Sequence, residues 1–143
     1  MAASKETNDF MTRHRLSISI TLTITLTISG LALTTATSAQ AAGDPAKGKA
    51  VFAQCAACHK VDATGKSTIG PNLWKVFGRT SGTLAGFNYS PAMKSAKKVW
   101  DDKNLDAYLV APLKAMPGNR MPYAGLKAPA DRQNLIAYLK TLK

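Results

Sequence analysis

Apolar positions along this chain follow three different patterns. From Leu16 to Leu33 the residues are mostly Ile, Leu, Ser and Thr, with no charge. Further on, Leu105, Tyr108 and Leu109, and then Leu135, Ile136, Leu139 and Leu142, recur at the three- and four-residue spacing of a helix face. Between residues 60 and 90 there is no period. Gly65, Gly70, Pro71, Gly78, Gly82 and Gly86 break that stretch into turns, so it reads as loop and not as strand. The pattern predicts an all-α chain with unusually long connections.

Punctuation sharpens the boundaries. Asp44 before Pro45 is a helix start, with a side-chain acceptor at the cap and a proline in the first turn. That helix is expected to run through Val51 and Phe52 toward Cys55. Trp100, Asp101 and Asp102 open a second helix, which Pro112 should stop. Pro117, Gly118 and Pro122 impose an extended loop carrying Met116 and Met121, and a last helix begins near Pro129. No internal repeat is present.

The early apolar run reads as an export signal. Arg13 and Arg15 precede it, and Ala39-Gln40-Ala41 is a small-x-small cleavage site, so cleavage is expected after Ala41. Residues 1–41 are then a signal peptide and 42–143 the working domain. The first ten residues are polar for such a segment, which makes Met11 a candidate start. An uncleaved membrane anchor is the alternative, but serines and threonines dilute the run.

Of the 143 residues, 19 are Lys or Arg and 8 are Asp or Glu. After Ala41 the counts are 16 and 6, a formal +10. Nucleic acid is disfavoured, since no basic run exceeds Lys97-Lys98 and no aromatic-interleaved basic segment occurs. Steering toward acidic protein partners fits better.

Candidate chemistry centres on Cys55-Ala56-Ala57-Cys58-His59, the attachment signature of a c-type haem. One helical turn puts both sulfurs on one face for thioethers to the vinyl groups, while the adjacent imidazole reaches the iron. A disulfide redox centre would want a βαβ context, which is missing. Zinc would want four ligands, but this part of the chain has two cysteines and one histidine. Export suits haem attachment, which needs reduced cysteines outside the cytoplasm. Haem would also supply the core that about 100 loop-rich residues otherwise lack.

His59 is the only histidine past the apolar run, so a bis-histidine centre within the chain is excluded. The other axial position falls to a methionine, a lysine or an open site. Met93, Met116 and Met121 are available, and methionine most often fills apolar gaps. Met121 stands apart because the stiff Pro117-Gly118-Asn119-Arg120-Met121-Pro122-Tyr123 loop can hold a side chain at fixed depth.

With these landmarks, and with Gly70-Pro71-Asn72-Leu73, Phe77-Gly78-Arg79, Gly86-Phe87-Asn88-Tyr89, Trp100, Tyr108-Leu109 and Leu135-Ile136-Ala137-Tyr138-Leu139, the chain from about residue 43 to 143 resembles the class I cytochromes c, close to the bacterial c2 and mitochondrial group. The resemblance implies their fold: three or more helices and long loops wrapped round one covalent haem c. It makes His59 the proximal ligand and Met121 the distal one, and it has Pro71 offering its carbonyl to His59. Arg79, Tyr89 and Trp100 match residues that hydrogen-bond the inner propionate, and Tyr108 matches one beside the methionine sulfur. Gly48 and Phe52 match positions where the first helix crosses the last near Leu135 and Tyr138. Two positions depart: Met93 stands where relatives place a crevice asparagine, and Asn119 where they place a threonine. Gln54 and Leu113 occupy usually basic places, leaving Lys60, Lys114, Arg120 and Lys127 as expected partner contacts.

The expectation is a monomeric, soluble, periplasmic one-electron carrier of a respiratory or photosynthetic chain. It would shuttle between partners such as a bc1 complex and a terminal oxidase or photosynthetic reaction centre, with no small-molecule substrate. A peroxidase-like role would require a labile Met121 and lacks a distal acid or histidine. A gas-binding four-helix cytochrome would carry its Cys-x-x-Cys-His near the chain's end.

Overall fold

The computed structural model describes residues 42–143. The expected signal peptide, with its expected cleavage after Ala41, lies outside the described residues.

Three helices form a cradle. Helix α1, Pro45–Phe52, starts where Asp44 Oδ1 accepts from the backbone N–H of Ala46 at 2.8 Å and of Lys47 at 3.3 Å. It crosses the C-terminal helix, Pro129–Lys140, which is numbered α5 below. Gly48 makes the crossing close: a Cβ there would stand 1.9 Å from the Asn134 carbonyl oxygen and 2.7 Å from Tyr138 Cβ. Beside it Phe52 and Tyr138 pack with ring centroids 5.5 Å apart.

Between them in sequence lie three further helices. Helix α2 is Pro91–Ala96, α3 is Asp102–Val110 and α4 is Pro112–Ala115. Asp101 caps α3 by accepting from Asn104 N–H at 2.7 Å, and Leu105, Tyr108 and Leu109 form its buried face. Arg132 of α5 fixes α3 in place. It is buried, donates to Asp106 Oδ1 at 2.8 Å, and also holds the carbonyls of Leu126 and Lys127. Lys140 adds a pair to Asp102 at 2.5 Å and lies over the Phe77 ring.

Two elements differ from the sequence reading. Pro112 does not simply end a helix; α3 stops at Val110 and the proline starts α4, where its missing N–H costs nothing. Helix α2 lies just past the 60–90 stretch read as loop and was not expected, although Ser90 followed by Pro91 is a start signal and the Ser90 hydroxyl does accept from Met93 N–H at 3.2 Å.

The remaining chain is loop, and no strand is present among the described residues beyond an isolated antiparallel bridge between Thr80 and Val99. That bridge, with Ser81 N–H donating to Lys98 O at 2.7 Å and Lys98 N–H to Ser81 Oγ at 3.1 Å, closes the neck of an excursion over residues 81–98. The all-α expectation with long connections holds.

Candidate functional site

The cradle and the loops enclose a cavity of about 490 Å³. All nine residues singled out in the sequence meet in its wall: Cys55, Cys58, His59, Pro71, Arg79, Tyr89, Trp100, Tyr108 and Met121.

The chain continues past α1 in tight turns, with Cys58 and His59 N–H both donating to the Cys55 carbonyl, at 3.1 and 2.9 Å. The two thiols and the imidazole therefore sit within a single turn. Neither cysteine is in a disulfide, and burial, helped by Cys58 alongside, pushes the Cys55 thiol up. His59 Nδ1 lies 2.7 Å from the Pro71 carbonyl, which fixes Nδ1 as the donor and leaves the Nε2 lone pair for a metal. Burial lowers the imidazole's pKa, the Pro71 contact offsets part of that, and the ring is held as the neutral form a ligand must be. Gly70 lets the ring fit: a Cβ there would fall 2.6 Å from His59 Cε1.

Met121 comes from the loop after α4. Its backbone N–H donates to Asn119 Oδ1 at 2.7 Å, and the Asn119 amide nitrogen donates to the carbonyls of Pro112 at 2.7 Å and Met116 at 2.8 Å. The departure at Asn119 thus has a structural meaning, because one buried amide pins three points of the loop. An asparagine bonding the N–H two residues on is a common turn device, so this role had a sequence signal. Tyr108 donates its hydroxyl to Met121 Sδ at 3.6 Å. Burial has pushed the phenol up to about 12, so it remains a donor through the neutral range. Met116 is buried away from this cavity, whereas Met93 lines it.

On another side Arg79 donates to the carbonyls of Trp74 at 3.3 Å and Asn72 at 3.0 Å. Two of its five N–H groups are used in this way. Tyr89 stands close enough to oppose part of the burial effect that lowers the Arg79 pKa. The fully buried Asn72 shapes this wall, donating to the carbonyls of Asp62 and Lys66 and accepting from Trp74 N–H at 2.7 Å. The sequence reading gave Asn72 no role of its own. It also missed a bond from Tyr123 to Gln54, both on the cavity wall, with the hydroxyl donating to Oε1 at 2.6 Å. The expected partner contacts Lys60, Lys114, Arg120 and Lys127 are all exposed, and Lys127 Nζ also donates to the Val110 carbonyl at 2.7 Å.

This donor set fits haem c. Two thiols one turn apart, an imidazole with its far nitrogen available, a thioether in the same cavity, and apolar walls from Phe52, Leu73, Leu105 and Leu135 suit a flat iron macrocycle with polar edges.

Comparison with known proteins agrees. The cytochrome c family profile matches residues 45–143. Cytochrome c2 of Rhodomicrobium vannielii is 48% identical over 110 residues, covering 77% of this chain and 88% of that protein. Cytochrome c of Chlamydomonas reinhardtii is 52% identical over 100 residues, covering 69% and 89%. The solved structure of cytochrome cH from Methylobacterium extorquens matches with a TM-score of 0.66 at 38% identity, over 69% of this chain and 99% of that one. The chain belongs to the cytochrome c family and is an electron carrier with covalent haem c, not an enzyme.

Proposed function

We propose that His59 and Met121 are the two axial ligands, and that the protein carries single electrons between redox complexes of the bacterial periplasm. The observation that carries the ligand assignment is the pair of fixed donors in one cavity: His59 locked by Pro71, and Met121 locked by Asn119 and Tyr108. Haem so ligated supplies a one-electron ferric/ferrous couple, and thioether ligation raises its potential. The residues keep that couple isolated. Apolar side chains would exclude water, Pro71 and Asn119 hold the two donors in place, and Arg79, Tyr89 and Trp100 would present N–H and O–H groups to the inner propionate.

Charge supports docking through the cofactor side. Residues 53–100 and 111–128 hold ten lysines and arginines against one carboxylate, Asp62. The cradle segments 42–52, 101–110 and 129–143 hold six against five. Such polarity orients an approaching acidic face toward the loops. A bc1 complex as donor, and a terminal oxidase or photosynthetic reaction centre as acceptor, fit that polarity. Periplasmic placement rests on the leader and on where thioethers can be made. No helix among the described residues is long and apolar enough to cross a membrane.

The test is a far-red spectrum of the oxidised protein. Met121→Ala should abolish the weak sulfur-iron band and lower the potential, while Met116→Ala keeps the band; survival of the band without Met121 refutes the assignment. Transfer rates to an acidic partner should also fall with salt, since at 0.15 M charge acts over only about 8 Å. A flat salt response points to apolar docking instead.

A further inference from the structure

Residues 120–125 hang between two anchors. Asn119 is the first, with its buried amide. Leu126 is the second: its N–H donates to Leu109 O at 2.7 Å, and its carbonyl accepts from Arg132 at 3.0 Å. Gly125, at φ 100°, lets the chain reach that anchor, for a Cβ there would stand 2.1 Å from the Val110 carbonyl oxygen. Besides the bond from Met121 N–H to the Asn119 anchor, and among the described residues, only two hydrogen bonds tie this segment to the rest of the chain. One is from Tyr108 to Met121 Sδ. The other is Tyr123 to Gln54, spanning 69 positions of sequence.

The second bond joins the residue just before Cys55 to the residue two after Met121. Its Gln54 end is firm, because Cys55 N–H donates to Phe52 O at 2.8 Å and so continues the turns of α1. Its Tyr123 end controls Met121 closely, since Tyr123 N–H donates to Met121 O at 2.9 Å across the rigid Pro122. Tyr123 is half-buried and Gln54 exposed, so the bond lies at the rim of the cavity.

We propose that Tyr123 and Gln54 form a latch across the cavity rim, holding the Met121 loop closed and setting how often Met121 withdraws from the iron. The inference rests on Met121 being the ligand proposed above. Both are positioning residues. The Tyr123 ring packs against the edge of the apolar core, but the hydrogen bond itself lies at the rim, so removing the hydroxyl alone opens the loop without unfolding the cradle.

The test uses the oxidised holoprotein, with imidazole as an incoming ligand and the far-red band as the readout. Tyr123→Phe keeps the ring and removes the donor; Gln54→Ala removes the acceptor. Each should speed imidazole entry about two- to tenfold, the worth of one hydrogen bond. The double variant should be no faster than the faster single one, and Gln54→Glu, which keeps an acceptor, should stay near the native rate. Native rates in both single variants, or effects that multiply in the double variant, overturn the latch. Amide exchange at Tyr123 separates this outcome from failure of the ligand assignment. If the band survives Met121→Ala, faster exchange in Tyr123→Phe and Gln54→Ala still upholds the latch, and unchanged exchange rejects it.

Discussion

Seven of the twelve buried apolar side chains belong to α1, α3 and α5, among them Phe52, Leu105, Leu135 and Ile136, and Leu142 follows just past α5, whereas four of the five buried polar residues, Asn72, Ser81, Ser90 and Asn119, belong to the loops. The helical side is held by apolar packing and by pairs of opposite charge, Arg132 with Asp106 and Lys140 with Asp102. The loop side is held by buried amides and hydroxyls that satisfy backbone groups, and its apolar surface faces the cavity. A cradle of helices can bury its own face. A loop cannot, so it needs polar pins and a large ligand to pack upon.

Removing the ligand breaks this contrast most severely. Cys55→Ser with Cys58→Ser prevents covalent attachment, and the loops then lose their packing partner. The loss is expected to consume essentially all of a stability that is typically about 5–15 kcal/mol. The near-ultraviolet signal of Trp100 should vanish, and amide protection should collapse in the loops while the α1–α5 crossing retains the most. Equal protection in both regions without haem would refute the division.

Next come two glycines, one on each side. Gly48→Ala places a methyl against the Asn134 carbonyl and should cost about 1–3 kcal/mol, lowering Tm by about 4–8 °C per kcal/mol. The sulfur-iron band should be unchanged until the protein unfolds. Gly125→Ala meets both a positive φ and the Val110 carbonyl, and it should instead lower the pH at which a lysine displaces Met121. The direction follows because a weakened loop yields to the competing amine at a smaller degree of its deprotonation. If both variants act alike on the band, the two regions are not separable.

Asn119→Ala tests the polar pins. It leaves the Pro112 and Met116 carbonyls and the Met121 N–H without their partner, a cost of about 1–3 kcal/mol. Denaturant titration reads the stability loss, and the same alkaline titration of the band should shift downward.

The smallest change concerns Met93. It lines the cavity and is only half-buried, so replacing it by an amide should cost little. Met93→Asn is expected to lower the alkaline midpoint by about half a pH unit, equivalent to about 0.7 kcal/mol. A higher midpoint would show that the site favours the amide.

The helical side was legible because its instructions are local. Asp44-Pro45, Asp101 and the Leu135 to Leu142 stripe state start, cap and buried face within a few residues. The haem motif was equally plain, since its chemistry requires one turn. The loops were harder to read, because their partners lie far off in sequence. Nothing around Asn72 announces the carbonyls of Asp62 and Lys66, and Gln54 does not name Tyr123. Arg132 is a similar case. As a cation on α5 it gives no sequence sign of burial, yet it is buried because Asp106 and two carbonyls compensate the desolvation. Helix α2 was missed for a different reason: it buries no residue, and no apolar stripe marks it.

The pinched neck at Thr80 and Val99 gives residues 81–98 a modular character. Gly78 N–H donates to Trp100 O at 3.0 Å and Trp100 N–H to Arg79 O at 2.9 Å, so the chain enters and leaves the excursion at adjacent points. Closure entropy grows only slowly with length once the ends are fixed. Residues inserted at the exposed tip around Ala85 and Gly86 would therefore lengthen the excursion while leaving Arg79 and Trp100 in register. The neck separates the length of this wall from its attachment, and makes it a place where the fold can vary in size while Arg79 and Trp100 keep their places at the cavity.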